Sequence, residues 1–174
     1  YGRTVYKPDS AGMENTDIKI VMDIHNIFRA RGLRLCIAES CTGGLISHLL
    51  TGRPGASSFV DSSVVCYSNE CKRDLLGIST ELINKYGVIS EEIARAMAVS
   101  VRKIRNTDFS LATTGNLGPD TMEDKEAGLV YAAVDYKGGT VSRQLIFNGG
   151  RALIKLRAAM ASLELLLDTI KSAK

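Results

Sequence analysis

Three polar segments of this chain carry side chains able to do chemistry, and each follows an apolar run. The first is Glu39-Ser40-Cys41-Thr42-Gly43-Gly44, between "LRLCIA" and "LISHLL". If a strand delivers Ser40 to a helix start, its hydroxyl lies beside the backbone N–H groups of Thr42, Gly43 and Gly44. These are orphan donors of a first helical turn. Such donors hold a developing oxyanion or a phosphate, and the glycines let a ligand approach the backbone. The same residues also suit a plain helix cap by Ser40 or Thr42. The segment is neither a G-x-S-x-G elbow nor a Walker loop, and taken alone it leaves both readings open.

A serine nucleophile needs a base. His25 and His48 are the two histidines. A rise of roughly 1.5 Å per residue puts His48 about 9 Å or more from the turn, and nothing aims His25 at a site. A lysine is the other route. The segment "VVCYSNECKRDLLG" places Tyr67, Ser68, Asn69 and Lys72 at a strand end and the first turn of a helix. A desolvated lysine loses its proton near neutral pH, and Tyr67 could relay a proton or orient a carbonyl. The plain alternative is a solvated lysine and an amphipathic edge tyrosine. A third exit, "ATTGNLGPD", offers Thr113, Thr114, Gly115, Asn116 and Gly118. Gly149-Gly150-Arg151 stands at the entry to the last helix, where an arginine suits a phosphate or carboxylate clamp. These groups make one pocket if the strand ends share an edge of the sheet.

The elements that would position them read as follows. Residues Asp17 to Ala30 repeat apolar side chains at helical spacing, and Gly32 closes that helix. "LRLCIA" is a strand, and "TGGLISHLLTG" a helix ending at Gly52. "SSFVDSSVVCYS" reads as a strand with a bend near Asp61 and Ser62. "NECKRDLLG" and "STELINKYG" are short helices. Ser90 caps "EEIARAMAVSVRKIRN", with Glu91 and Glu92 in its first turn. "DFSLATTG" is a strand. "GLVYAAVDY" and "TVSRQLIF" flank a Lys137-Gly138-Gly139 hairpin signal, and a long helix closes the chain. Helices interleaved with about five strands give an α/β layered fold, and the hairpin makes the sheet mixed.

The chain has 174 residues, 45% of them hydrophobic and 24% charged, which fits one domain with one core. Residues 1–12 lack a steady period and read as a loosely held tail or a non-native remnant, leaving 13–174 as the single domain. A net charge of +3 without a basic run gives no electrostatic footprint for nucleic acid. No apolar run approaches the roughly 20 residues of a membrane span. With no signal peptide visible, the expected compartment is the cytoplasm. Cys36, Cys41, Cys66 and Cys71 form two C-x4-C pairs, wider than the usual zinc spacing, and the expectation is no metal and no disulfide.

The strings "AESCTGG", "PGAS", "YSNECK", "LLG", "YGVISEEIARAMA", "TTGNLGP" and "GGR" occur in the order seen in the nicotinamide-nucleotide amidase family. This is the CinA C-terminal domain family, also called PncC, and the resemblance covers about Asp17 to Lys171. It implies a three-layer α/β/α sandwich around a mixed, mostly parallel sheet of about five strands. It implies hydrolysis of nicotinamide mononucleotide to nicotinic acid mononucleotide and ammonia, with no metal or organic cofactor required, and self-association of the chain. Matched position by position, Ser40 resembles the family's nucleophile, Lys72 its proposed base and Tyr67 the tyrosine of the same motif. Thr114 matches the threonine before the glycine of the third motif, and Arg151 the arginine near the substrate phosphate. The expected set is therefore Ser40, Lys72 and Tyr67 for catalysis. Thr42, Gly43, Gly44, Asn69, Thr114, Gly115 and Arg151 are expected to bind substrate, with the glycine turn given to the oxyanion and Arg151 to the phosphate.

One segment departs from the pattern. The family reads close to "TGIAGPGGGTPEKPVGTV" where this chain has "TGNLGPDTMEDKEAGLV". Asn116 and Leu117 replace a small apolar pair, and Asp120 replaces a glycine. Glu123, Asp124 and Glu126 accumulate charge that Lys125 offsets in part. If this loop faces a phosphate, like-charge repulsion weakens binding. The competing function is therefore a nucleotide-binding module of the same fold with weak or no activity.

Overall fold

The computed structural model describes residues 15–173; the expected tail of residues 1–12 lies outside them. Along the chain run α1 (Asn15–Arg31), β1 (Leu35–Glu39), α2 (Leu45–Thr51), β2 (Val60–Val65), α3 (Asn69–Leu76), α4 (Thr80–Tyr86), α5 (Glu91–Arg105), β3 (Phe109–Gly115), β4 (Leu129–Tyr136), β5 (Gly139–Ile146) and α6 (Arg151–Ser172). Ser68, Ser79 and Ser90 each accept the N–H three residues on and so cap α3, α4 and α5.

The strands form one sheet in the order β2-β1-β3-β4-β5. Pairing is parallel across β2, β1 and β3, and antiparallel across β3, β4 and β5. Alternation along the strands sends side chains to opposite faces. Leu35, Ile37, Leu111 and Val134 pack with α1, α2 and α6. Cys36, Ala38, Ala112 and Ala133 pack instead with the buried stripe of α5, Ile93, Ala94, Met97, Ala98 and Val101. The molecule is therefore an α/β sandwich of three layers.

Two local expectations change. The segment "SSFVDSSVVCYS" is not one strand: Ala56–Ser58 is a 3-10 turn and β2 starts at Val60. The expected bend is a bulge, since Leu35 pairs with Val60 and Cys36 with Ser62, leaving Asp61 as the extra residue. Asp61 then meets Arg34 and Arg105, and the Arg105 hydrogen bond holds its carboxyl below the usual range. The second helix starts at Leu45, not Thr42. Gly43 (φ 55°) and Gly44 (φ 90°) are left-handed, so the chain cannot yet be helical there.

Strand order fixes where a site can form. From β1 the chain moves to β2 on one side and later to β3 on the other. The C-terminal ends of β1 and β3 therefore face a topological switch point, where crossovers diverge and leave a crevice. Ser40 follows the first of these ends, and Thr114 and Gly115 close the second.

Candidate active site

A cavity of about 130 Å³ opens at that switch point. Ser40, Tyr67, Asn69, Lys72, Thr114, Gly115 and Arg151, all expected from the sequence, line it. Thr42, Gly43 and Gly44 do not.

Lys72 is the buried amine of the site. Its residue is 1% exposed, although it lies in the first turn of a strongly polar helix. Ser68 starts α3 with its side chain on the Cys71 N–H, and this turns Lys72 inward under the end of β1. Lys72 Nζ donates to Ser40 Oγ at 3.1 Å and to the Cys66 carbonyl at 3.1 Å. Burial lowers the Lys72 pKa; the neighbouring Cys66 and Cys41 oppose this only as thiolates. Burial pushes both thiols up to about 12, so near neutral pH they carry no charge and burial dominates.

The turn after β1 is built differently from the sequence expectation. Glu39 is fully buried. One carboxylate oxygen accepts the N–H of Gly44 at 2.9 Å and of Ile46 at 3.2 Å. The other accepts the Ser47 N–H at 2.9 Å and the Ser47 hydroxyl at 2.6 Å. The anion seat at the start of α2 is thus filled by the protein's own carboxylate, which satisfies its orphan donors. The Gly43 N–H returns to the Ser40 carbonyl at 3.1 Å. Gly43 and Gly44 are therefore not free donors for a ligand. Thr42 is buried with its hydroxyl 2.8 Å from that of Thr113, away from the cavity. Among the described residues, no carbonyl accepts from the Cys41 or Thr42 N–H of the Ser40–Gly43 turn, and the Cys41 N–H meets its own side-chain sulfur. A buried N–H without an oxygen partner is uncommon, and these two adjoin Ser40.

Other walls of the cavity are held from a distance. Thr114 donates its hydroxyl to the Val88 carbonyl at 2.7 Å. Gly115 admits no side chain, because an added Cβ would sit 2.7 Å from the Leu129 carbonyl oxygen. Arg151 donates to the Gly118 carbonyl at 2.5 Å and to the Tyr67 hydroxyl at 2.8 Å. Its guanidinium is a strut joining three segments of the mouth.

Sequence reasoning missed Glu39, Cys41, Val88, Ile89 and Met122 as parts of this site, while Asn116 of the third strand exit and Leu117 and Asp120 of the altered loop do line the cavity. Glu39 had a signal: a carboxylate ending an otherwise apolar strand just before a helix start. The acidic loop also behaves differently from its composition. Glu123 turns inward and accepts the N–H groups of Val88 at 2.6 Å and Ile89 at 3.2 Å. Lys125 pairs with it at 3.0 Å. Asp120 is the acidic residue of this loop that lines the cavity.

Residues 17–170 match the CinA C-terminal domain family. The chain belongs to that family. A relative from Clostridium beijerinckii, named for competence-damage induction, is 36% identical over 95% of this chain. A "CinA-like protein" from an Anaeromyxobacter species is 41% identical over 79% of it. This CinA C-terminal domain spans 39% and 34% of those relatives' lengths. Among solved structures, a competence damage-inducible protein A from Klebsiella pneumoniae superposes with a TM-score of 0.88 at 28% identity, covering 91% of this chain and 99% of the other. A competence/damage inducible protein from Agrobacterium tumefaciens gives 0.86 at 33% identity, covering 91% and 98%. No helix among the described residues is long and apolar enough to cross a membrane.

Proposed function

We propose that this CinA C-terminal domain hydrolyses a carboxamide through Ser40 and Lys72, with nicotinamide mononucleotide as substrate. The observation that carries the reading is the 3.1 Å separation of a buried lysine amine and a serine hydroxyl at the switch point. Burial favours the neutral amine, which is the form that accepts a proton. As the neutral amine it takes the Ser40 hydroxyl proton while Oγ bonds to the carboxamide carbon. The negative charge on the former carbonyl oxygen is met by the N–H of Cys41, which follows Ser40 and lines the cavity, in place of the glycine-turn donors expected from sequence. Lys72 then gives its proton to the leaving nitrogen, and ammonia departs as the C–N bond breaks. Water adds to the resulting ester, losing a proton to Lys72, and Ser40 Oγ leaves with that proton as the carboxylic acid forms.

In this reading Tyr67 and Arg151 shape the mouth. The Tyr67 hydroxyl, 61% exposed as a residue, accepts from Arg151 and keeps its own proton to donate. Cys41 is a wall and not a second nucleophile, since burial keeps it a thiol. Incubating the purified chain with nicotinamide mononucleotide and measuring ammonia tests the reading. Ammonia release that vanishes in Ser40→Ala supports it; no release from any carboxamide nucleotide rejects it and leaves a binding module.

A further inference from the structure

Cys66 and Cys71 are thiols that the proposed hydrolysis leaves unused, and both hold on to Lys72. All four cysteines of the chain are free. Cys66 follows β2 and is fully buried. Its N–H donates to the Glu39 carbonyl at 2.8 Å, and its own carbonyl accepts from Lys72 Nζ at 3.1 Å. Cys71 precedes Lys72 in the first turn of α3 and is half-buried. Its Sγ lies 3.8 Å from the Val65 carbonyl oxygen, against the peptide that leads into Cys66. The Cys66 and Cys71 side chains are hydrogen-bonded to each other, and Cys71 packs on the apolar cluster that contains Cys66. Cys36 and Cys41 meet threonine hydroxyls instead, those of Thr107 and Thr113.

The two sulfurs differ in access. Cys71 reaches solvent, whereas Cys66 is enclosed and burial keeps it a thiol. An oxidant therefore meets Cys71 first. We propose that Cys66 and Cys71 form a peroxide-responsive modification site, whose reversible disulfide pulls Lys72 away from Ser40. The Cys71 sulfur attacks one oxygen of hydrogen peroxide; the O–O bond breaks, water leaves, and Cys71 becomes a sulfenic acid. The Cys66 sulfur then attacks the Cys71 sulfur. The S–S bond forms, the S–O bond breaks, and the hydroxyl leaves as water with the Cys66 proton. Two thiols have lost two electrons and two protons, and one peroxide has become two waters. A dithiol reverses the change. Closure brings the sulfurs from hydrogen-bond contact to bonding distance, and so draws in the first turn of α3. Lys72 is the next residue, and its amine meets Ser40 at 3.1 Å, so a shift of that turn separates the two. Tyr67 and Asn69, inside the closed ring, line the cavity and move with it. Inhibition by the disulfide rests on the amidase reading; formation of the disulfide does not.

The test is oxidation of the reduced full chain with stoichiometric hydrogen peroxide, then alkylation in denaturant and peptide mass mapping. The wild type loses the mass of two hydrogens, alkylates at Cys36 and Cys41 alone, and yields a peptide link between Cys66 and Cys71. Ammonia release from nicotinamide mononucleotide falls about a hundredfold, the scale for a catalytic group displaced by roughly 1 Å. Dithiothreitol restores both mass and rate. Cys71→Ser and Cys71→Ala keep the rate of the reduced wild type but lose the response: Cys66 stays alkylatable, and peroxide no longer slows release. Thermal melts establish that both variants are folded. A link to any other cysteine or between two chains overturns the proposal. So does a Cys71 that stops at sulfenic or sulfinic acid with Cys66 free, or a Cys66–Cys71 disulfide with undiminished release. A reduced wild type that releases no ammonia removes the amidase reading by itself, and the mass map then decides the disulfide alone.

Discussion

The Glu39 carboxylate accepts the Gly44 N–H at 2.9 Å and, through the same buried group, fastens the start of α2 to the end of β1. The turn that presents Ser40 is therefore held from beneath. Glu39→Ala leaves the N–H groups of Gly44, Ile46 and Ser47 without an acceptor in the core. The expected cost is about 3–5 kcal/mol, from unsatisfied buried donors. Glu39→Gln keeps one oxygen and costs less. Urea titration of the three proteins checks the order; equal midpoints would remove Glu39 from this role.

Lys72 gives a pH-dependent expectation. Its folded pKa lies below the unfolded value because burial disfavours the ammonium. The unfolded chain therefore binds more protons below the ordinary lysine pKa, and folding is penalised there. The penalty is complete below the folded pKa, shrinks as pH rises through the interval, and is gone above the unfolded value. Lys72→Met should thus melt higher than wild type at neutral pH, with the gap closing toward about pH 10.4. The same shift places the rising limb of a kcat/KM profile below the ordinary lysine value. A melting gap that is independent of pH would contradict a desolvated Lys72.

Cys41 lies next to Ser40 and lines the cavity, yet its thiol is pushed up to about 12. Thiolate is the reactive form, so Cys41→Ala should retain ammonia release within a few-fold. Alkylation of Cys41 by iodoacetamide near neutral pH should be slow beside that of a free thiol. Loss of activity equal to that of Ser40→Ala would make the thiol the nucleophile.

Glu123 fixes the far wall. Burial raises its pKa, but hydrogen bonds from Val88, Lys125 and Ile89 outweigh this and the net shift is downward. Its contribution to stability is present above the unfolded carboxylate pKa and is lost as pH falls through the folded value. Glu123→Gln should destabilise the chain at neutral pH and converge with wild type in acid. It should also raise KM, since Val88 and Ile89 line the cavity. Melting curves across pH with parallel KM values check both parts.

The layered fold is legible because its signals are local. Ser68, Ser79 and Ser90 stand where caps belong, the apolar run of "LRLCIA" marks a strand buried on both faces, and periodicity in "EEIARAMAVSV" names the buried stripe of α5. The bend near Asp61 is legible as an interruption of a strand pattern. Ser40, Lys72 and Thr114 can be placed at strand ends, but their meeting depends on the order β2-β1-β3, which local pattern does not encode. Lys72 is buried on a helix whose composition is polar, so tertiary packing overrides the pattern. The acidic loop reads as a charged surface, whereas Glu123 reaches Val88, 35 residues away in the chain. The glycine turn reads as open donors because nothing in "AESCTGG" shows that Glu39 folds back onto Gly44.

The central claim is that Ser40 and Lys72 act as one unit. The most direct measurement is ammonia release from nicotinamide mononucleotide by wild type, Ser40→Ala, Lys72→Met and the double variant, all shown to be folded. Wild type should turn over, and each single variant should lose about as much rate as the double, because groups that act together are not additive. Multiplying losses in the double variant, or full activity in Lys72→Met, would contradict the account.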